Sequence, residues 1–212
     1  MKHIQDTLSA VPFTLSAPSK MPCRSFSLPL RVCNVGAKLA KKSGTICAEC
    51  YAAEGNYRFN NVQKALDQRL SAFESVEFVP IMIEKIRKEE KSGYFRWFDS
   101  GDVPNWQGLL KIVRIALALP TIRFWLPTKE YALITRYVET VGAFPANLTV
   151  RLSAYMVDGP APAALASRLG VVTSTVTSNP ENATCPAPKQ GNKCQECRAC
   201  WLSTSNVSYL LH

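Results

Sequence analysis

Apolar residues recur every three or four positions over 61–75 and 76–91. This period, close to the roughly 3.6 residues of a helical turn, predicts two amphipathic helices, each with one face in a core. The positions that define these faces are Leu66, Leu70, Phe73, Val79, Ile83 and Ile86.

Short apolar and aromatic runs bounded by turn residues follow, and helical patterns separate them. Such runs predict strands, and their alternation with helices indicates βα units in a parallel sheet. The predicted strands are 94–98, 123–126, 148–153 and 171–175, and the helices between them are 105–119, 130–141 and 161–169.

The number of βα units limits the possible architectures of the sheet. A closed eightfold barrel takes about 250 residues, whereas this chain has 212 residues and shows about four clear units. We therefore predict an α/β fold with a partial (β/α) barrel-like parallel sheet, or an open sheet, in a single domain over 1–212. Within it we distinguish a cysteine segment at 1–58, a βα core at 59–178 and a second cysteine segment at 179–212.

Composition and charge narrow the setting. The chain is 47% hydrophobic and 19% charged, which is ordinary for a globular protein. Charged residues interrupt every apolar run before it is long enough to span a bilayer, and residues 1–19 lack the apolar core of a secretory signal. We expect a cytoplasmic protein with no membrane partner. The net charge of +9 indicates either an anionic partner, such as nucleic acid or an anionic small molecule, or a solvated basic surface; the oligomeric state stays open.

The eight cysteines fall into two groups, separated by 134 residues without cysteine. The second group, Cys185, Cys194, Cys197 and Cys200, has the spacing C-x8-C-x2-C-x2-C. Two successive C-x2-C steps bring three thiolates together from one tight loop. Zinc also accepts four cysteines, but this run is a recurrent ligand pattern of iron–sulfur cubanes. We favour a cluster of the 4Fe-4S type over zinc.

The first group, Cys23, Cys33, Cys47 and Cys50, is less regular. Cys47 and Cys50 can supply two ligands, and Cys33 or Cys23 a third. Three protein ligands would leave one iron open, which suits catalysis, whereas four would suit structure or electron transfer. Cys23 is either a ligand or a buried inert thiol. In a reducing cytosol, thiols at such spacings indicate ligands rather than disulfides.

Histidine is nearly absent. His3 and His212 are the only two and stand at the chain ends. Catalysis by a Ser-His-Asp triad or a Cys-His pair and zinc binding by paired histidines are therefore excluded.

Polar residues follow three successive predicted strands. In parallel α/β folds the chemistry gathers at the carboxyl ends of the strands. A turn with two aspartates could also merely cap the next helix, but three such strand ends in a row favour a site. The residues are Asp99, Ser100, Gly101 and Asp102 after the first strand, Lys129 after the second, and Arg151 and Ser153 at the third.

Specific motifs along nearly the whole chain resemble a phage-borne family known as gene product eighty-eight. The resemblance implies a phage protein in the host cytoplasm and no established activity. The matching runs are Cys23-Arg-Ser-Phe-Ser-Leu-Pro, Cys47-x2-Cys50-Tyr-Ala, Phe124-Trp-Leu-Pro-Thr-Lys and Gln190-Gly-Asn-Lys-Cys194-x2-Cys197-Arg-Ala-Cys200-Trp.

A second resemblance is to the radical S-adenosylmethionine (SAM) enzymes. Ser100-Gly101-Asp102-Val103-Pro104 resembles their Gly-Gly-Glu-Pro element, and Cys47-x2-Cys50-Tyr51 resembles the end of their cluster loop, although 13 residues separate Cys33 from Cys47. The resemblance implies a radical SAM-like core in which Cys33, Cys47 and Cys50 hold a cluster whose open iron binds SAM. The C-terminal cysteines would then hold an auxiliary cluster. The implied cofactor-binding residues are Asp99, Ser100, Gly101, Asp102 and Ser153, and the implied catalytic residues are Asp102, Lys129 and Arg151.

Three functions follow as hypotheses. The first is an iron–sulfur protein with one or two clusters, acting as a divergent radical SAM-like enzyme. The second is a non-catalytic redox or structural protein in which all eight cysteines are ligands. The third is a zinc-stapled nucleic-acid-binding module.

Overall fold

A curled parallel sheet forms the frame of the protein. The structure is a computed structural model that describes residues 11–211. Its six strands are all parallel, follow one another in chain order, and curl into a half-barrel. Parallel neighbours joined by crossover connections build such a sheet, and the predicted partial barrel is confirmed. The strands are β1 (Arg24–Phe26), β2 (Tyr94–Trp97), β3 (Arg123–Thr128), β4 (Leu148–Val157), β5 (Val172–Thr177) and β6 (Val207–Leu210).

Helices connect the strands. The five helices predicted from the apolar pattern correspond to α2 to α6, with ends within two residues of the prediction. Short 3-10 turns lie at Leu30–Val32, Tyr51–Ala53, Gly55–Arg58, Pro180–Asn182 and Ala187–Gln190. The helices are α1 (Asn34–Leu39), α2 (Asn60–Glu74), α3 (Phe78–Glu89), α4 (Trp106–Ala118), α5 (Tyr131–Thr140), α6 (Ala163–Leu169) and α7 (Ala199–Leu202).

The two outer strands of the sheet come from the two cysteine segments. The apolar pattern did not indicate β1 or β6, which have only three and four residues. Each is stabilised by pairing with its neighbour: β1 pairs with β2, and β6 pairs with β5. Both cysteine segments are thereby attached directly to the sheet.

The main core lies between the outer face of the sheet and the helices. Phe26, Trp97 and Phe124 from three neighbouring strands are fully buried there. They pack with helix side chains such as Phe73 and Met82. Burying one large apolar side chain contributes about 1.5–3 kcal/mol, so this layer holds the helices on the sheet.

The C-terminal segment covers part of the inner face of the sheet. Trp201 donates its indole N–H to the Phe95 carbonyl (2.9 Å) and accepts at its own carbonyl from Thr149 Oγ1 (2.6 Å). A second apolar cluster forms between this segment and the sheet, with Trp125 from β3 and Val207 from β6. The C-terminal segment, which contains the last four cysteines, therefore lies against the inner face. No helix within residues 11–211 is long and apolar enough to cross a membrane.

Candidate metal and cofactor site

The loop after β1 brings its cysteines over the carboxyl ends of β2 and β3. Cys33 is the residue directly before α1. Asn34 donates its side-chain amide to the Pro104 carbonyl (2.7 Å), in the turn after β2. The Val35 N–H donates to Glu130 Oε1 (2.9 Å), after β3. A carboxylate at a helix start pairs with N–H groups that lack a partner within the helix, so Glu130 anchors this loop to the sheet.

Cys47 and Cys50 follow α1 in a turn that is anchored to β4. The Ile46 N–H donates to the Tyr155 carbonyl (2.9 Å), and Thr45 forms an isolated bridge with Met156. This contact lies at the end of β4, which runs beyond the predicted 148–153 to Val157 and has a register shift against β5 between Ser153 and Val157. The loop thus reaches across three strand ends.

Cys33, Cys47 and Cys50 lie close enough to interact electrostatically. Burial raises the pKa of the Cys33 thiol to about 12, and Asp102, Cys50 and Cys47 add to the rise. Burial also raises the pKa of Cys47, while Lys129 opposes that shift. These three thiols form one group, which we call the three-cysteine group.

Gly36 faces the three-cysteine group with no side chain. A Cβ atom at this position would lie 3.6 Å from Cys47 Sγ, 3.7 Å from Cys33 Sγ and 3.1 Å from Cys33 Cβ. The two sulfur distances are ordinary van der Waals contacts, and only the contact with Cys33 Cβ is tight. With glycine here the space beside both sulfur atoms, which we call the cradle, stays open.

Asp102 is positioned at the same edge by three hydrogen bonds. Its Oδ1 accepts from Thr128 Oγ1 (2.7 Å) and from the Val103 N–H (2.7 Å), and its Oδ2 accepts from the Lys129 N–H (2.8 Å). Burial raises the pKa of this carboxyl, and the hydrogen bonds oppose the rise. Oδ2 can accept one further hydrogen bond. The Asp102 carboxylate also lies close enough to Cys33 to act on its thiol.

Asp99 is committed to contacts inside the protein. Its carboxylate accepts from Ser27 Oγ (2.6 Å) and from the Tyr57 hydroxyl (3.1 Å), and its carbonyl accepts from the Tyr51 hydroxyl. These bonds join β1, the turn after β2 and the three-cysteine loop. These contacts hold Asp99 in place, and its cofactor contact stays a prediction.

Ser100 and Gly101 fasten the ends of β1 and β2 together. Ser100 donates its hydroxyl to the Leu28 carbonyl (3.0 Å), and the Leu28 N–H donates to the Ser100 carbonyl (2.9 Å). Gly101 has φ +84°, and a Cβ atom there would lie 2.8 Å from the Leu28 oxygen. Close backbone approach accounts for this glycine, so the contacts of both residues are structural.

Lys129 acts electrostatically on the three-cysteine group, whereas the side-chain contact of Ser153 lies within the sheet. Lys129 is half-buried and its charge acts on Cys47 and Asp102. Ser153 shares a hydrogen bond with Ser174 on the neighbouring strand (3.2 Å). Lys129 therefore places a positive charge beside the three-cysteine group, and Ser153 belongs to the pairing of β4 with β5.

Arg151 has a contact set that fits structure and not catalysis. It is fully buried and donates all five N–H groups to backbone carbonyls. No donor remains for a substrate, so the catalytic role expected from the sequence finds no support in these contacts. The accepting residues are Thr173, Ala199, Cys200, Ser203 and Ser205.

Cys23 lies with the C-terminal cysteines, although the sequence places it in the N-terminal group. It packs in the inner apolar cluster with Cys200, Trp125 and Trp201. Burial is the main cause that raises the pKa of Cys23 to about 12, and the negative charge of Glu90 is the next largest cause. Cys194 also lies close enough to raise this pKa. The structure therefore divides the eight cysteines into three and five.

The C-terminal cysteines and Cys23 form what we call the five-cysteine group. The Cys194 N–H donates to the Lys20 carbonyl (2.8 Å), which fixes the C-terminal loop beside Cys23. Cys185 interacts electrostatically with both Cys194 and Cys200. Burial raises the pKa of Cys200 to about 11, and the Tyr209 hydroxyl lies 3.2 Å from its sulfur and opposes the rise.

All eight cysteines are free thiols. Within residues 11–211, no three Cys, His, Asp or Glu side chains are arranged to hold a single metal ion.

Fold and cysteine grouping define a class: a partial-barrel α/β protein with separate thiol groups at the carboxyl edge and on the inner face of its sheet. The chain belongs to the gene product 88 family, whose family model matches residues 2–203. This confirms the family that the motifs indicated. Comparisons with curated proteins and with solved structures found no match.

Sequence reasoning missed the residues that link the two cysteine groups. Arg96 lies on the inner face of β2, where its guanidinium stacks over the Trp125 ring (4.6 Å) and donates to the Tyr51 hydroxyl (3.2 Å). Tyr51 directly follows Cys50. An arginine between Phe95 and Trp97 in an otherwise aromatic strand was the one signal that could have indicated this position.

Proposed function

We propose that this protein is an iron–sulfur protein of radical SAM-like type, with a cluster on the three-cysteine group. The observation that carries the proposal is the three-plus-five division of the cysteines. Because Cys23 packs against the other group, Cys33, Cys47 and Cys50 remain as three thiols at the carboxyl edge. Three protein ligands on a four-iron cluster leave one iron for an exogenous ligand.

The donor set and the space beside it fit such a cluster. Thiolates are the usual protein ligands of iron–sulfur clusters, and the cradle at Gly36 adjoins Cys33 and Cys47.

The surrounding residues suit a zwitterionic cofactor. The free acceptor position of Asp102 Oδ2 would receive the amino group of SAM, since the other contacts of this carboxylate hold it in place. Lys129 adds a positive charge that acts on Cys47. The chemistry that the bound cluster would supply is one-electron reduction of SAM; the chain's residues bind, orient and shield.

The five-cysteine group would hold a second cluster. It has more thiols than a cubane needs, so one of the five is surplus. Arg151 would keep its loop in place, because it binds carbonyls on both sides of Cys200. This site would serve electron transfer or structure.

The test is iron, acid-labile sulfide and zinc per chain on anaerobically purified protein. About eight iron with matching sulfide is expected, and about four in the variant Cys33→Ala/Cys47→Ala/Cys50→Ala. Under anaerobic reduction, the wild type is expected to cleave SAM to methionine and 5′-deoxyadenosine, and the variant is not. The matched control is Cys194→Ala/Cys197→Ala/Cys200→Ala, which should keep about four iron.

The alternatives appear as distinct results of the same measurements. Two loaded clusters without SAM cleavage would favour a non-catalytic redox or structural protein. Zinc without sulfide would overturn the cluster proposal and favour a zinc-stapled nucleic-acid-binding module, whose binding of DNA or RNA should weaken steeply with salt.

A further inference from the structure

Three residues on neighbouring strands of the inner face each carry a buried donor that finds no acceptor in the described part of the chain, residues 11–211. In the sheet register Ser25 of β1 lies beside Arg96 of β2, and Arg96 lies beside Trp125 of β3. Cα partners in a parallel sheet direct their side chains to the same face. Ser25, Arg96 and Trp125 therefore form a row across three strands, which we call the donor row.

The unpaired atoms of the donor row are Ser25 Oγ, Arg96 Nε and Trp125 Nε1. They are three of the five buried side-chain nitrogen or oxygen atoms in residues 11–211 that lack a hydrogen-bond partner. Buried donors are normally paired, and each unpaired one costs about 1–3 kcal/mol. Three of them side by side indicate a site for one acceptor group.

The charge of Arg96 determines the kind of acceptor. Within residues 11–211, no carboxylate lies within 4.0 Å of its guanidinium, whose contacts are the Trp125 ring, the Tyr51 hydroxyl and Met21 Sδ. Asp99 acts on this guanidinium electrostatically but forms no direct ion pair with it. Water could accept the hydrogen bonds of the row, whereas an anion would also pair with the positive charge at contact distance.

We propose that the donor row binds the oxyanion of a small molecule, a carboxylate or a phosphate group, inside the half-barrel. The row lies between the two cysteine groups, because Ser25 is two residues after Cys23 and Tyr51 is next to Cys50. The inference deepens the proposed function by naming a class of substrate. It rests on the proposed function, because the bound oxyanion would belong to the substrate of that reaction. Binding of the oxyanion itself needs no cluster chemistry.

The test is calorimetric titration of the full-length, anaerobically purified protein with acetate and, in a separate arm, with inorganic phosphate, both in chloride-free buffer. We expect saturable binding of one of them, which identifies the carboxylate or the phosphate source. Arg96→Gln should weaken it about tenfold or more, because a charge-assisted bond is lost. Arg114→Gln, the same change at an exposed arginine of α4, should leave it unchanged.

Ser25→Ala separates binding from folding. The hydroxyl has no hydrogen-bond partner within residues 11–211, so its removal should not lower the free energy of unfolding but should weaken anion binding several-fold. Arg96→Lys keeps the charge and should retain part of the affinity. If neither anion binds, or if Arg96→Gln and Ser25→Ala both bind the anion as tightly as Arg114→Gln, the donor row is not an oxyanion site.

Failure of this proposal and failure of the cluster proposal remain distinguishable. The variant Cys33→Ala/Cys47→Ala/Cys50→Ala should still bind the anion while its iron content falls. Loss of anion binding with full iron content would instead concern the donor row alone.

Discussion

Arg151 Nε donates to the carbonyl oxygen of Cys200 across 3.0 Å, a contact between residues 49 positions apart. The other four N–H groups of this arginine also bind carbonyls, so a single side chain on β4 holds the backbone that presents the last cysteines. The order of the five-cysteine group therefore depends on a residue whose side-chain N–H groups all bind backbone carbonyls.

Replacing Arg151 should destabilise the fold strongly. Arg151→Met fills similar volume but leaves five backbone carbonyls without their donors, and we expect the free energy of unfolding to fall by about 3–5 kcal/mol. Denaturant unfolding measures this. Arg114→Met, at an exposed site, should change it by no more than about 0.5 kcal/mol. A small effect at both positions would show that the carbonyls find other donors.

Adding a methyl group at Gly36 should block the cradle beside the sulfur atoms. In metal-free protein, Gly36→Ala should change the free energy of unfolding by no more than about 1 kcal/mol, since alanine favours the helix while its Cβ would lie 3.1 Å from Cys33 Cβ. The anaerobically purified variant should lose the iron of the three-cysteine group, because the new Cβ lies within 3.7 Å of two sulfur atoms.

Iron and sulfide analysis checks this result. The control Ala37→Ser adds one heavy atom on the exposed side of the same helix and should keep full iron content. Full iron content in Gly36→Ala would show that the cluster, if present, lies away from this cradle.

Replacing Cys23 should affect the five-cysteine group alone. Cys23 packs with Cys200 on the inner face, so Cys23→Ala should leave SAM cleavage by the three-cysteine group intact. Iron analysis then decides its role: about four iron lost marks it as a ligand, and none lost marks it as the surplus thiol. Loss of SAM cleavage with iron retained on the C-terminal cysteines would contradict the three-plus-five division.

Asp102→Asn should reduce both stability and cofactor binding. The amide presents a donor where the carboxylate accepted three hydrogen bonds, and we expect the free energy of unfolding to fall by about 1–3 kcal/mol. Affinity for SAM should fall as well, measured by equilibrium dialysis under anaerobic conditions. Asp67→Asn, which breaks the exposed pair with Arg31, should cost less than about 1 kcal/mol and spare SAM binding.

Local periodicity was enough to predict α2 to α6 and β2 to β5, because their apolar spacing is repeated over whole segments. It was not enough for β1 and β6, whose three and four residues are too few to show a period. Those strands exist because a neighbouring strand supplies their hydrogen bonds, which is information from distant parts of the chain.

The sequence by itself determined the α/β class, the family, the two sets of closely spaced thiols and the polar ends of the strands, since each is carried by short-range patterns. Only the tertiary structure decided that Cys23 lies with Cys194 and Cys200, that Arg151 binds carbonyls, and that Ser25, Arg96 and Trp125 stand in one row. These relationships join residues tens to hundreds of positions apart. They arise from strand register and from the burial of the C-terminal segment on the inner face, neither of which leaves a local signal in the chain.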